Sequence, residues 1–366
     1  AAAGGLLAGC AGDERDVSTT SAESTRTAGG TRTESPAETS TATPSTGSRT
    51  EILDNEGPYT AAFYYPWWGP DRHWGDGYVS TPTLGEYDCR EAETVSQHLA
   101  WANAYDIDSL YCSWWGPDSW EDETISEHLL PAAESAGVDV AILYEAPGRL
   151  DGEGSIDLSA EENRATLAED FASLERFFES RRYATIGGRM PGFLYLTRIL
   201  EGDVTGALEE AREAVDHDLF LVGDQVYWQD PETDQSQAVL DAVDAVSAYN
   251  MHTATADIDE GFVSDAIDQY EVWETALADR SVAFVPDVIP GFDDTAVRPE
   301  AGNPVIERTP DRFREFVEGV GPLRDDDLEM LFVTSFNEWH EDTQVEPAEE
   351  YGTDYLAALQ EGLGTY

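Results

Sequence analysis

The stretch MLFVTSFNEWHE occupies residues 330–341 and joins two kinds of sequence. Its first half is a run of apolar, strand-forming residues, and its second half brings Glu338 and Glu341 together with an indole and an imidazole. Seven earlier runs have the same apolar character, which is typical of strands buried on both faces. The eight runs together predict eight buried strands after residue 50. The earlier seven are TAAFYY (60–65), SLYCSWW (109–115), VDVAILY (138–144), GFLYLT (192–197), LFLVG (219–223), AVSAYN (245–250) and VAFVPD (282–287).

Amphipathic helical patterns separate these runs. Apolar residues recur every three or four positions in residues 91–105, 161–181 and 204–216. Strands that alternate with helices are parallel, and eight such units in roughly 316 residues predict one α/β domain, a (β/α)8 TIM barrel over residues 51–366. An open, doubly wound sheet is the alternative. It is disfavoured because no strand is followed by a G-x-G-x-x-G or P-loop glycine pattern.

The composition is extremely acidic. Acidic residues outnumber basic ones by 75 to 20, every basic residue is an arginine, and the formal net charge is -55. Such a charge repels phosphates over about 10 Å at ordinary ionic strength, so a nucleic-acid partner is excluded. It also destabilises a compact state unless molar salt screens it, which indicates a protein of an extreme halophile. A disordered acidic chain is the alternative, but an aromatic content of 11% with ten tryptophans argues for a folded core.

The amino-terminal residues indicate an anchored protein. Residues 1–10, AAAGGLLAGC, are interpreted as a truncated signal sequence that ends in a lipobox. We expect acylation of Cys10 to anchor the protein to the outer face of the cell membrane, whereas an ordinary free thiol is the alternative. Residues 11–50 contain 18 serines and threonines and no aromatic residue, which predicts a disordered linker. Cys89 and Cys112 either form a disulfide or remain two buried thiols.

Aromatic and polar groups follow the predicted strands, where a barrel of this kind carries its functional site. Seven of the ten tryptophans fall between residues 67 and 120, and most of them stand at strand ends. An indole ring has broad apolar faces and one polar edge, which suits the C–H faces of sugar rings. Trp101 and Trp273 lie inside helical patterns and are interpreted as core residues. The rim of the barrel at the carboxyl ends of the predicted strands is therefore predicted to bind carbohydrate.

The two glutamates of the opening stretch are candidate catalytic groups. Residues three apart point to opposite faces of a strand, so Glu338 and Glu341 cooperate only if the chain turns just after Phe336. Two nearby carboxyls raise the pKa of one of them, which lets one act as an acid while the other stays charged. Glycoside hydrolysis requires this division of roles. The alternative is a solvated pair on an acidic surface, but this pair follows a buried strand.

Several segments resemble glycoside hydrolase family 99, the endo-α-mannosidases. TSFNEWHEDTQVEP is similar to the family signature, and FYYPWWG, RHW, LGEYD, SWWG and PGFDDTAVRP resemble family segments in the same order. The resemblance spans residues 58 to about 350 and is strongest at strands 1, 7 and 8. It implies a TIM barrel and an enzyme, independent of metal and cofactor, that cleaves within α-mannoside chains of an oligo- or polysaccharide with retention.

The resemblance also implies roles for single residues. Glu338 is the base that deprotonates the substrate's own 2-hydroxyl to form a 1,2-anhydro sugar, and Glu341 is the acid and then the base. This sequence has Asp342 where the family has glycine, a change that matters if the position requires a positive φ. The loop after strand 1 is also shorter than expected for a eukaryotic relative. The predicted sugar contacts are Tyr65, Trp68, His73, Trp74, Trp114, Glu145, Tyr195, Tyr249, Asn337, Trp339 and His340.

Two other functions compete with this one. A metal-dependent amidohydrolase uses the same barrel, but the six histidines include neither H-x-H nor H-E-x-x-H. A catalytically inactive carbohydrate-binding protein of the cell surface would keep the aromatic rim and bind without cleavage. The presence of both carboxylates argues against that alternative.

Overall fold

The structure is a computed structural model that describes residues 49–55, 57–226, 230–249, 251 and 261–364. The predicted anchor residue Cys10 and residues 11–48 of the predicted linker lie outside the described residues. Within the described ranges, no helix combines the length and the apolar character needed to cross a bilayer.

Parallel strands form the centre of the fold. In chain order they are β1 (Tyr59–Tyr64), β2 (Ser109–Trp114), β3 (Asp139–Tyr144), β4 (Ile156–Asp157), β5 (Met190–Leu194), β6 (Leu200–Glu201), β7 (Leu219–Asp224), β8 (Ala245–Ser247), β9 (Ala283–Phe284), β10 (Asp287–Val288) and β11 (Met330–Val333). Nine of them pair in the order β10-β11-β1-β2-β3-β5-β7-β8-β9. The short strands β4 and β6 pair separately beside this sheet.

The nine-stranded sheet closes on itself, because β9 and β10 are two halves of one strand. Only Val285 and Pro286 separate them. The Val285 amide donates to the carbonyl of Val246 in β8 (3.0 Å), and the Pro286 carbonyl accepts from the Phe332 amide in β11 (2.9 Å). Proline has no N–H and interrupts the ladder at this point. The predicted (β/α)8 TIM barrel is therefore confirmed, with its seventh strand divided in two.

Helices surround the barrel. Those in the described residues are α1 (Ala92–Ala104), α2 (Trp120–Glu123), α3 (Leu130–Ala136), α4 (Ala146–Arg149), α5 (Glu161–Phe178), α6 (Val204–Glu213), α7 (Asp234–Leu240), α8 (Phe262–Leu277), α9 (Pro310–Val320) and α10 (Asp354–Leu363). The predicted helical segments correspond to α1, α5 and α6. Four helices begin at a side chain that accepts a hydrogen bond from a first-turn N–H, which satisfies an otherwise unpaired donor. These caps are Ser119, Asp203, Thr233 and Thr309.

Both faces of each long barrel strand are buried, one in the barrel interior and one under the helices. In the interior the Phe63 ring packs on Phe193 and Phe332, with ring centroids 4.7 and 5.0 Å apart. The next residue, Tyr64, points the other way and meets His98 of α1, with ring centroids 5.8 Å apart. Side chains alternate between the two faces along a strand. Which residues face the interior therefore also decides which residue at each strand end reaches the barrel mouth, the opening at the carboxyl ends of the strands.

Cys89 and Cys112 are both buried and free, so the alternative without a disulfide is the one observed. Burial raises the pKa of both thiols, because the thiolate is disfavoured away from water. Neither cysteine is therefore a reactive thiol in the folded protein.

The charge predicts how stability responds to salt. Exposed acids such as Glu161, Glu162 and Glu169 of α5 repel one another through water. We expect the thermal unfolding midpoint to rise when KCl increases from about 0.1 M to about 3 M, because the Debye length falls from about 10 Å to below about 3 Å. Circular dichroism measures the midpoint. Replacing these three glutamates with glutamine should weaken its salt dependence.

Sucrose at equal osmolality is the control for the salt series, because it favours compact states without screening charge. An equal rise of the midpoint in sucrose would show that charge screening is not the cause.

Candidate active site

The segment of residues 334–347, called here the β11 loop, reverses the chain directly after β11. The Ser335 amide donates to the carbonyl of Thr343 (2.9 Å), and the Val345 amide donates back to the carbonyl of Ser335 (2.8 Å). The Glu346 amide donates to the carbonyl of Phe336 (2.9 Å). The turn that cooperation of Glu338 with Glu341 requires is therefore present, and both residues lie at its tip.

Asp342 takes part in this reversal. Its φ is 50°, the left-handed region in which glycine is more usual, so the family glycine is replaced here by a residue that tolerates this conformation. Arg308 lies 3.0 Å from the Asp342 carboxylate and donates to the Asp342 carbonyl (2.8 Å). The additional negative charge of Asp342 is therefore neutralised within the loop.

Glu338 is buried at the barrel mouth, with 3% of its surface exposed. Its Oε1 accepts a hydrogen bond from the His340 amide (3.0 Å). Burial and then the charge of Glu341 raise the pKa of Glu338 well above its usual range, and the His340 amide and Arg298 only partly oppose this. The charge of Glu341 is therefore one cause of the raised pKa of Glu338, second to burial.

Glu341 is only half-buried and has a cationic partner. Arg298 donates to its Oε1 (2.7 Å) and also forms an ion pair with Asp294 (3.3 Å). The other oxygen of Glu341, Oε2, is buried and has no hydrogen-bond partner among the described residues. One oxygen is thus held by an arginine, and the second is available to a ligand. Arg298 is not among the predicted site residues, although it stands after the predicted seventh strand in the family-like segment PGFDDTAVRP.

Strand alternation brings the other polar groups to the mouth. Tyr65 follows the interior residue Phe63 by two positions, and its hydroxyl contacts that of Tyr249. Tyr195 follows interior Phe193 by two positions, and its ring centroid lies 5.1 Å from that of Tyr249. Burial and then the charge of Glu338 raise the pKa of Tyr65, so its phenol is neutral.

Glu145 joins this group from the end of β3. It is buried and accepts a hydrogen bond from the Ser113 hydroxyl (2.7 Å), which in turn accepts one from the Trp115 indole (2.9 Å). Burial, which outweighs the Ser113 hydrogen bond, raises the pKa of Glu145 to about 8. At neutral pH Glu145 is therefore mainly a neutral acid that can donate a proton to a ligand oxygen.

The indoles at the mouth differ from the ones that sequence analysis selected. Trp67 lies 5.1 Å from His73 and 6.3 Å from Trp115 between ring centroids, and Trp115 is half-buried. Trp114 faces the helices instead, where it is fully buried and donates to Asp122 (2.7 Å). Adjacent residues on a strand point to opposite faces. A choice between Trp114 and Trp115 therefore requires knowing which of the two faces the barrel interior, and the sequence does not reveal this.

Four other predicted sugar contacts are almost fully buried by protein. The indoles of Trp68 and Trp74 donate to the backbone carbonyls of Asn337 (3.0 Å) and Tyr87 (2.8 Å). The Asn337 side chain accepts from the Tyr65 amide (2.7 Å) and donates to the Tyr65 carbonyl (3.0 Å). Trp339 donates its indole hydrogen to buried partners. These hydrogen bonds support the loops of the site, and a sugar contact by any of the four residues stays a prediction.

His73, Asp76 and His340 form the group best suited to a metal ion in the described part of the chain. The Asp76 carboxylate lies 3.6 Å from His73 Nδ1 and 4.0 Å from His340 Nε2. Burial is the main cause that lowers the pKa of His73, to about 4, and that of His340. Tetrahedral zinc, with bonds of about 2 Å, needs ligand atoms roughly 3.3 Å apart, so these side chains would have to approach one another. His340 Nε2 already donates to the His73 carbonyl (3.2 Å).

Comparison with known proteins agrees with this geometry. The model of the family described as glycosyltransferase WbsX matches residues 150–359, which is more than half of the chain. Glycoprotein endo-alpha-1,2-mannosidase of Mus musculus is 23% identical over 331 residues, which cover 78% of this chain and 67% of the mouse protein. An endo-alpha-1,2-mannosidase-like protein of Danio rerio is 26% identical, over 73% of this chain and 59% of its own length.

Solved structures share the fold. The GH99 endo-alpha-mannosidase from Bacteroides thetaiotaomicron, in complex with bis-tris-propane, has a TM-score of 0.68 at 19% identity and covers 84% of this chain and 96% of its own. A glycoside hydrolase-like protein has a TM-score of 0.72 at 20% identity, over 86% and 96% of the two chains. The resemblance inferred from the sequence is therefore confirmed: the chain belongs to the family described as glycosyltransferase WbsX and is a GH99 endo-α-mannosidase-like protein.

Proposed function

We propose that this protein is a retaining glycoside hydrolase that cleaves internal α-mannosidic bonds of a polysaccharide or glycan with Glu338 and Glu341. The observation that carries the proposal is the reversal of the β11 loop, which brings two interacting carboxyls to the barrel mouth beside Arg298. The relatives named endo-alpha-1,2-mannosidase support the substrate class. Tyr65, Tyr249 and Glu145 supply further groups suited to sugar hydroxyls.

In the proposed reaction, the Glu338 carboxylate accepts the proton of the substrate's 2-hydroxyl, and that oxygen attacks C1. The bond from C1 to the leaving oxygen breaks as Glu341 donates its proton to that oxygen. Water then opens the 1,2-anhydro sugar: Glu341 accepts a proton from the water, and Glu338 returns its proton to the 2-oxygen. Two inversions at C1 give net retention.

The proposed reaction needs an ionised Glu338, whereas the environment of Glu338 in the free protein favours its protonated form. Arg298 donates a hydrogen bond to Glu341, while burial and then the charge of Glu341 raise the pKa of Glu338. Two strongly interacting carboxyls titrate as a pair and can share one proton. The proposed roles require a proton on Glu341 once the substrate is bound, and its Oε2, which has no hydrogen-bond partner among the described residues, is the oxygen left to hold it.

The location of the enzyme is a separate proposal. We infer that Cys10 is acylated and holds the enzyme at the outer face of the membrane of an extreme halophile. The lipobox spacing of residues 7–10 and the Ser/Thr-rich segment that follows support this inference. An enzyme at that position acts on extracellular or surface glycans.

Paired substitutions test the catalytic roles. We expect Glu338→Gln and Glu341→Gln each to lower kcat/KM on an α-1,2-linked mannan oligosaccharide by about 10²–10⁴-fold, measured as reducing ends in molar KCl. With a dinitrophenyl α-mannoside chain, the leaving group needs no proton, so Glu341→Gln should recover most of its first-step rate. Glu338→Gln should not recover, because the base is still missing.

The exposed Glu349 provides a matched control, since Glu349→Gln makes the same change two residues after the β11 loop. Rescue of Glu338→Gln in place of Glu341→Gln would reverse the two roles. Tight binding without cleavage by the unsubstituted protein would favour the inactive carbohydrate-binding alternative. Transfer of mannose from an activated sugar donor, without any hydrolysis of the mannan oligosaccharide, would favour a transferase, the activity that the family description names.

The raised pKa of Glu145 predicts a pH dependence of stability. Between about pH 4.5 and 8 the folded protein retains a proton on Glu145 that the unfolded chain releases, so stability falls as pH rises through this window. Glu145 alone should lower the free energy of unfolding by up to about 1.4 kcal/mol for each pH unit in this window. We expect Glu145→Gln to abolish that part of the decrease. Denaturant unfolding at pH 5, 6.5 and 8 in constant KCl measures the free energy of unfolding. Glu153→Gln, at an exposed position, is the control. Identical slopes for the protein and Glu145→Gln would contradict the assignment.

Mass spectrometry of the protein produced in a haloarchaeal host tests the anchor. We expect lipid on Cys10 and recovery of the protein in the membrane fraction. Cys10→Ser should move the protein to the soluble fraction and leave its activity unchanged, because the residue lies far from the barrel in sequence. An unmodified Cys10 in a membrane-associated protein would refute the inference.

A further inference from the structure

Glu346, at the end of the β11 loop, is fully buried and surrounded by three hydrogen-bond donors. Its Oε2 accepts from the Tyr87 hydroxyl (2.7 Å) and from the Trp339 indole (2.9 Å). Its Oε1 accepts from His98 Nε2 (3.1 Å), and His98 Nδ1 lies 3.0 Å from the Tyr64 hydroxyl. A buried carboxylate is tolerated when its lone pairs are satisfied in this way, and removing a partner is costly.

This network reaches both neighbours of Glu338. On one side, the Glu346 carboxylate binds the Trp339 indole directly. On the other, the Tyr87 hydroxyl accepts a hydrogen bond from the Asn337 side-chain amide (3.3 Å). Glu338 therefore stands between two residues that Glu346 holds. It holds Trp339 directly and Asn337 through the Tyr87 hydroxyl.

The same contacts extend to the opposite wall of the site. The Asn337 side chain binds both the amide and the carbonyl of Tyr65, whose hydroxyl meets that of Tyr249. A displacement of Asn337 would thus move Glu338 and Tyr65 together. Since a misplacement of about 1 Å can cost roughly 10²-fold in rate, this coupling has a catalytic consequence.

We propose that Glu346 is a positioning residue, whose buried carboxylate sets the place of Glu338 through Trp339 and through Tyr87 and Asn337. The inference rests on the proposed function for its kinetic consequence, and its structural part stands on the contacts alone. Glu346 touches neither the barrel mouth nor Glu338 itself in the described hydrogen bonds, so it is not a catalytic residue. Glutamine keeps the shape of the side chain but replaces one accepting oxygen with an amide that donates, so at least one of the three hydrogen bonds must break or reverse its direction.

Three variants test the proposal. We expect Glu346→Gln to lower kcat by about 10²-fold with little change in KM, because the substrate contacts remain while Glu338 is displaced. Tyr87→Phe, which keeps the ring, should lower kcat by a smaller factor. The double variant should be no slower than Glu346→Gln alone, because both changes act through the same contacts. Independent, multiplying losses in the double variant, or wild-type kcat in a folded Glu346→Gln, would overturn the proposal.

Hydrogen exchange gives a readout that needs no substrate. Amide protection of residues 336–341 should fall in Glu346→Gln and in Tyr87→Phe and stay unchanged in Glu349→Gln. Unaltered protection in folded Glu346→Gln and Tyr87→Phe would refute the positioning role, even if the wild-type protein proved inactive on mannosides. If Glu346→Gln does not fold, folded Tyr87→Phe alone decides, because wild-type protection and kcat in that variant would refute the role.

Discussion

Two-sided burial of the parallel strands is the constraint on which the site depends. When both faces of a strand are covered, its side chains alternate between the barrel interior and the helix layer, and a shift by one residue would exchange them. Phe63, Phe193 and Phe332 fix that phase by meeting in the interior. Tyr65 and Tyr195, each two positions further on, then reach the mouth. The divided seventh strand closes the barrel, so these ends converge on one rim.

The electrostatics of the site follow from arginines placed within an acidic chain. The chain has 75 acids and 20 arginines, yet Arg298 and Arg308 lie against the β11 loop and bind Glu341 and Asp342. In the described part of the chain Glu338 forms no ion pair with an arginine, His340 Nδ1 lies 3.7 Å from its Oε1, and burial raises its pKa. The same residue type thus exists in two environments three positions apart. In the free protein this asymmetry is the reverse of the proposed roles, in which Glu338 is the base and Glu341 the acid, so the proposed reaction needs the substrate to move the proton between them.

The barrel mouth has a layer of titratable groups and a supporting layer beneath it. The titratable groups are Glu338 and Glu341, which carry the protons in the proposed reaction, and the buried Glu145. Asn337 and Trp339, which alternate with Glu338 along the chain, point away into a network that ends at Glu346 and His98. A loop outside regular secondary structure is held in place in this way by side-chain hydrogen bonds, which a strand or helix would obtain from its backbone.

Sequence alone determined the barrel, its eight strand runs, the family resemblance and the two glutamates, because apolar periodicity and a long local motif are properties of neighbouring residues. It did not distinguish Trp115 from Trp114, pair Arg298 with Glu341, or point to Glu346. Those assignments depend on strand phase and on contacts between residues far apart in the chain, such as Tyr87 with Glu346. Only the tertiary structure decides them, because burial and the direction of a side chain are set by the elements that pack against it.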